Sequence, residues 1–125
     1  MAQSINRVVL IGRLGRDPEM RYTPQGTAVT TFSLATDRPG RPGEAAETDW
    51  HRVVCWDKLG EIANQYCTKG RLVYVAGRLQ YRSYEGRDGQ PKRAVEVIAS
   101  DLGLLDRRPD AEPAGEPLPD EPPGA

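Results

Sequence analysis

The sequence predicts a mainly β protein: a small closed barrel of five strands with one α-helix between strands three and four, followed by an acidic tail. Three observations predict it. Stretches rich in β-branched and apolar residues, such as Val8-Val9-Leu10-Ile11, recur along the first 105 residues. A single stretch, from Leu59 to Cys67, switches to helical spacing. The end of the chain, residues 109–125, holds six of the eleven prolines and five acids without a base.

Residues 5–14 read as the first strand, with Ile5, Val8, Val9, Leu10, Ile11 and Leu14 set around Arg7 and Arg13. Gly15-Arg16-Asp17-Pro18 turns the chain, because Pro18 has no N–H to give a central ladder. Met20-Arg21-Tyr22 is a short return segment, ended by Thr23-Pro24-Gln25-Gly26. The second long strand spans residues 27–36. The run Asp37-Arg38-Pro39-Gly40-Arg41-Pro42-Gly43 reads as a loop, and the third strand covers about residues 48–56.

The helix is announced by Leu59, Ile62, Ala63, Tyr66 and Cys67, spaced i, i+3, i+4, i+7, i+8. Asp57 is the predicted N-cap and Gly70 the residue just past the end. Residues 71–84 form the fourth strand, residues 85–90 a hairpin loop, and residues 92–105 the fifth strand. Gly12, Gly77 and Gly103 would let these long strands curl into closure. A five-stranded Greek-key barrel with its helix between strands three and four is the OB-fold. Fold alone does not supply function.

The net charge of −1 averages two unlike regions. Removing the five acids of residues 109–125 leaves residues 1–108 with 17 bases and 13 acids. The expected organisation is therefore a mildly basic domain, residues 1–106, and a disordered acidic, Pro-rich tail, residues 107–125. At low salt such a tail would compete with a polyanion for the basic body. No apolar run approaches the roughly 18–20 residues that a membrane span needs. The N-terminus lacks a secretory layout, so a cytoplasmic, nucleoid-associated protein without a membrane partner is expected.

Catalysis finds little support. One His and two Cys fall short of the about four ligands of a zinc site, and Cys55 and Cys67 read as buried thiols. There is no Ser-His-Asp set, no phosphate loop and no second His to work with His51. The acids read as solvated surface. Neither an enzyme nor a cofactor is predicted.

A surface for unpaired bases is better supported. Trp50, Arg52, Val54 and Trp56 share one face of the third strand, and His51, Val53 and Cys55 the other. Two indoles flanking a guanidinium suit base stacking, which contributes about 1–3 kcal/mol per base. The last hairpin interleaves Tyr81, Arg82 and Tyr84 with Arg87, Lys92 and Arg93. That hairpin reads equally well as a charged, edge-protecting turn. Tyr22, Tyr66 and Tyr74 are assigned to packing, while Phe32 is open between core and surface.

The segment Asn6-Arg7-Val8-Val9-Leu10-Ile11-Gly12-Arg13-Leu14-Gly15-Arg16-Asp17-Pro18-Glu19, followed by Arg21-Tyr22, resembles the opening of bacterial single-stranded DNA-binding proteins. Phe32-Ser33-Leu34-Ala35-Thr36, Trp50-His51-Arg52-Val53-Val54, and Lys69-Gly70 with Val73-Tyr74-Val75-Ala76-Gly77-Arg78-Leu79 continue the likeness in order. The resemblance implies a homotetramer of OB-folds that wraps single-stranded DNA with little sequence preference. It implies base stacking on Trp50, Trp56 and Tyr84. It implies backbone contacts from Arg52, Lys58, Lys69, Arg82, Arg21 and Arg7, and a subunit contact at His51.

Two departures from the family pattern bear on partners. The loop of residues 37–47 is short and lacks the aromatic that some members carry, so that one stacking site is absent or is replaced by Arg38 or Arg41. The family's tail commonly ends in acids followed by Ile-Pro-Phe, whereas this chain ends Asp120-Glu121-Pro122-Pro123-Gly124-Ala125. Recruitment of replication and repair proteins through that anchor is therefore not expected. The leading reading is protection of single strands in replication, recombination and repair. Its alternatives are an accessory paralogue that coats DNA during uptake or for a mobile element, and a protein–protein OB module of the primosome type.

Overall fold

The computed structural model describes residues 3–106. The tail assigned to residues 107–125 lies outside them. The elements run β1 (Val8–Leu14), β2 (Glu19–Tyr22), β3 (Ala28–Arg38), β4 (Glu47–Trp56), α1 (Asp57–Tyr66), β5 (Leu72–Glu85) and β6 (Pro91–Leu104). They form one sheet in the order β1-β5-β6-β4-β3-β2, which closes where β1 also meets β3 at Arg13↔Ala35 and Leu14↔Leu34. All pairings are antiparallel except β4 with β6. Five long strands, a short β2 flap and a helix between β4 and β5 make the predicted OB barrel.

The strands form where period-2 alternation puts one face inside. Along β3 the buried residues are Ala28, Thr30, Phe32 and Leu34, so Phe32 belongs to the core. Val53 and Cys55 from β4, Val73 and Val75 from β5, and Val97 and Ala99 from β6 complete the interior. Helix α1 adds Ala63, and Cys67 follows at its end. Gly60 lets the helix approach closely, since a Cβ there would sit 2.6 Å from the Cys55 carbonyl oxygen. The buried Thr30 hydroxyl donates to the Gly60 carbonyl at 2.6 Å, tying helix to barrel.

Closure depends on two of the three predicted glycines. A Cβ at Gly12 would stand 2.1 Å from the Ala35 carbonyl oxygen, and one at Gly77 2.0 Å from that of Ile98. Gly77 lies at the register shift of β5 against β6. Gly103 is not so constrained, because a Cβ there would meet nothing nearer than 3.7 Å.

Other local expectations are corrected. Residue 57 is not the N-cap: Trp56 holds that position without a side-chain cap bond, and Asp57 begins the helix with φ of 61°. The helix ends at Tyr66 with Cys67 as C-cap, so Gly70 serves a later turn, where φ is 86° and its N–H donates to Leu14. Ile62 and Tyr66 face solvent, because Gly60 rather than a bulky residue sets the packed face. Ile5 precedes the strand and is exposed. Asp37 and Arg38 extend β3 instead of opening the loop, held by pairing with Thr48 and Glu47. Arg38 is thereby committed to Glu47 and Asp49 and is not a spare cation.

Candidate nucleic-acid interface

The outward side of β4 carries the predicted aromatic and cationic residues because its inward side is spent on Val53 and Cys55. Trp50 and Trp56 are 60% and 46% exposed, far more than core indoles would be. They stand six positions apart along the strand, about 20 Å at the usual rise, so they do not form one cage. Trp56 stands beside an open trough of about 560 Å³ that runs across β2, β3, β4, β6 and β5. Arg21, Arg52 and Arg82 line it, together with Glu19 and Glu96. Trp50 lies at the other end of β4, with its ring against Gly15.

Tyr84 extends the surface along the β5–β6 hairpin. It is half exposed, with the Arg82 guanidinium 5.4 Å from its ring centroid. Tyr81, of opposite parity on β5, has the guanidinium of Arg93 from β6 5.5 Å from its ring centroid. Such cation–π spacing holds a flat side chain upright while its outer face stays open. The remaining cations are more dispersed. Lys58 is exposed on the first turn of α1, two residues after Trp56, and Arg7 sits beside Arg78 near the Gly77 bulge. Lys69 is exposed in the α1–β5 connection, with its backbone N–H donating to Asp17. His51 is half-buried on the other parity, its Nε2 sharing a 2.8 Å hydrogen bond with Thr36 Oγ1.

Two residues of the trough escaped the sequence reading. Tyr22, assigned to packing, is 62% exposed and lines the trough. Alternation in a four-residue strand is too short to reveal its face. Glu96, grouped with the solvated acids, is buried beneath Arg52 and Arg82. The Arg82 hydrogen bond holds its carboxyl below the ordinary value, burial opposes this, and Arg52 adds to the lowering. The parallel β4–β6 register, Arg52↔Glu96, and the antiparallel β5–β6 pairing bring these distant residues together.

The arrangement offers little chemistry. Burial pushes the Cys55 thiol up to about 12 and the Cys67 thiol to about 11, which keeps both protonated and poorly nucleophilic. Among the described residues no group of His, Cys, Asp or Glu could hold a metal ion, and no helix is long and apolar enough to cross a membrane.

Residues 5–105 match the single-strand binding protein family. The chain belongs to that family. Among similar members, the single-stranded DNA-binding protein of Neisseria meningitidis (serogroup A) is 49% identical over 108 residues, 84% of this chain and 62% of that protein. That of Xanthomonas campestris is 48% identical over 111 residues, 86% of this chain and 64% of its own length. That of Thermotoga maritima is 47% identical over 107 residues, 83% and 76% of the two chains. This family member thus spans less than two thirds of the Neisseria and Xanthomonas proteins. Among solved structures it is similar to a Plasmodium falciparum SSB complex with ssDNA, at a TM-score of 0.78 and 39% identity. That likeness covers 85% of this chain and 99% of the other.

Proposed function

We propose that this family member binds single-stranded DNA without sequence preference and protects it in replication, recombination and repair. The observation that carries the reading is the exposed Trp56 in a trough lined by Arg21, Arg52 and Arg82, with Trp50 exposed further along β4 and Tyr84 against Arg82. Bases of any identity present a π-face, so stacking on these rings is tolerant of sequence. Arg21, Arg52 and Arg82 supply the rest by neutralising phosphates and releasing their counterions into solution, with Lys58, Lys69 and Arg7 beside the path. Nothing is transformed: the action is binding. The similarity to the Plasmodium complex and the names of the bacterial relatives support it. The site of action is then the cytoplasmic nucleoid.

The working form is a homotetramer. Val9 and Ile11 point outward from β1, each 55% exposed. The same strand pairs with β3 only at Arg13 and Leu14, leaving an edge from Val8 to Gly12. A second copy would cover both the apolar face and the edge, and His51 is assigned to a subunit contact on its position in the family pattern. Weak stations on four copies sharing one strand act at high effective concentration.

The deciding experiment is tryptophan fluorescence during titration with oligo-dT and with a duplex of equal length. The two tryptophans of the chain are the two proposed stacking indoles. Quenching by the single strand alone is expected. Absence of quenching would assign the indoles to a protein interface and favour the protein–protein module.

A further inference from the structure

One carboxylate oxygen in the floor of the trough carries cations from two strands. Glu96 Oε2 accepts from Arg52 Nε at 2.9 Å, from Arg82 Nη2 at 2.9 Å and from Arg82 Nε at 3.3 Å. Arg52 comes from β4 and Arg82 from β5, the strands on either side of β6. The acid is 5% exposed, while the two arginine side chains remain 54% and 45% exposed above it. Arg82 also lies over Tyr84, so the carboxylate steadies a cation that touches a stacking ring.

By charge alone, an acid beneath the path of a polyanion weakens binding. Its presence calls for a gain that charge counting omits. Two guanidiniums gathered this closely would repel one another without it. Each would then spread over the rotamers of a long side chain, and that freedom would be lost again on binding. Held at Oε2, Arg52 keeps both Nη groups and Arg82 keeps Nη1 without a hydrogen-bond partner among the described residues. These are the forked donors that match phosphate oxygens.

We propose that Glu96 is a positioning residue for strand binding: through one shared oxygen it holds Arg52 and Arg82 as a two-pronged clamp for a single phosphodiester and keeps Arg82 over Tyr84. The inference rests on the single-strand reading of the trough. It assigns to an acid a favourable part in binding an anion.

A double-mutant cycle in the full chain tests it, with oligo-dT affinity measured at about 0.05 M and about 0.5 M salt, where screening differs severalfold. Arg82→Lys preserves charge and removes the fork. In the otherwise intact protein it should weaken binding about fivefold or more at the higher salt, and in the Glu96→Gln background by less than about twofold. Glu96→Gln itself should bind more weakly than the parent at the higher salt, in spite of losing a negative charge. Equal or tighter binding by Glu96→Gln at that salt would make the acid merely an opposing charge. So would an equal cost of Arg82→Lys in both backgrounds. Should Glu96→Gln fail to fold, Arg52→Lys and Arg82→Lys are combined with Glu96 in place. Costs that do not add support one clamp, and additive costs overturn it. A parent protein that does not bind oligo-dT would instead overturn the single-strand reading itself.

Discussion

The indole of Trp50 rests on Gly15: a Cβ at that glycine would stand 2.5 Å from Cζ3 and 2.7 Å from Cη2 of the ring. The turn after β1 therefore sets where the Trp50 ring points, and only a residue without a side chain leaves the ring its place. Gly15→Ala should displace the indole outward, because Trp50 is mostly exposed and free to turn. The barrel should keep its melting temperature within a few degrees. Oligo-dT affinity should fall by about 1 kcal/mol, the lower end of one stacked base. Unchanged affinity and unchanged tryptophan emission would show that the contact does not direct the ring.

Tyr22 gives a second test, independent of the family pattern. If the trough is the path of the strand, Tyr22→Ala should weaken binding on a scale similar to Trp56→Ala, about 1–3 kcal/mol each. Both should act equally on dT and mixed-sequence oligomers of equal length. A loss confined to one base composition would replace stacking by base-edge recognition. A Tyr22 variant with parental affinity would restrict the path to β4 and the hairpin.

The outward apolar face of β1 makes a prediction about assembly. Ile11→Arg places a charge on a residue that is 55% exposed in one copy and covered in the proposed tetramer. Light scattering should report a fall from four times 13.8 kDa to a smaller species, with the far-ultraviolet spectrum unchanged. A mass that stays fourfold would place the subunit contact elsewhere on the barrel.

Two carboxylates link stability to pH. Glu96 is lowered first by the Arg82 hydrogen bond, against its burial. For Asp106, burial pushes upward but is outweighed by Arg71, which donates at 2.7 Å, and by the Leu72 N–H at 3.0 Å. A folded value below the unfolded one means that the stabilisation is complete above the usual carboxylate range. It drains away as pH falls through that range toward the folded values. The urea midpoint should therefore drop between about pH 6 and about pH 3, and Asp106→Asn should flatten the drop. A midpoint that rises on acidification would contradict both pairings.

Much of the protein is local physics and was legible as such. Period-2 alternation is a property of each strand, so β4 alone revealed that Trp50, Arg52 and Trp56 share a face opposite Val53 and Cys55. The helix was legible from its spacing, yet its packed face was not. Leu59, Ile62 and Tyr66 look like a buried stripe, but the close approach allowed by Gly60 turns Ile62 and Tyr66 outward. Arg38 looked free because its partners, Glu47 and Asp49, lie across a hairpin whose length the prolines and glycines disguised.

The order of elements along the chain, the place of the helix, the two-faced β4 and the family follow from sequence, because each is written in short-range pattern or in the order of motifs. The tertiary structure alone decided that Glu96 lies beneath Arg52 and Arg82, that Tyr22 joins the trough, and that Gly15 supports Trp50. These depend on which strands become neighbours when the sheet closes. A parallel β4–β6 register joins residues 44 positions apart, and no local periodicity encodes a partner at that range.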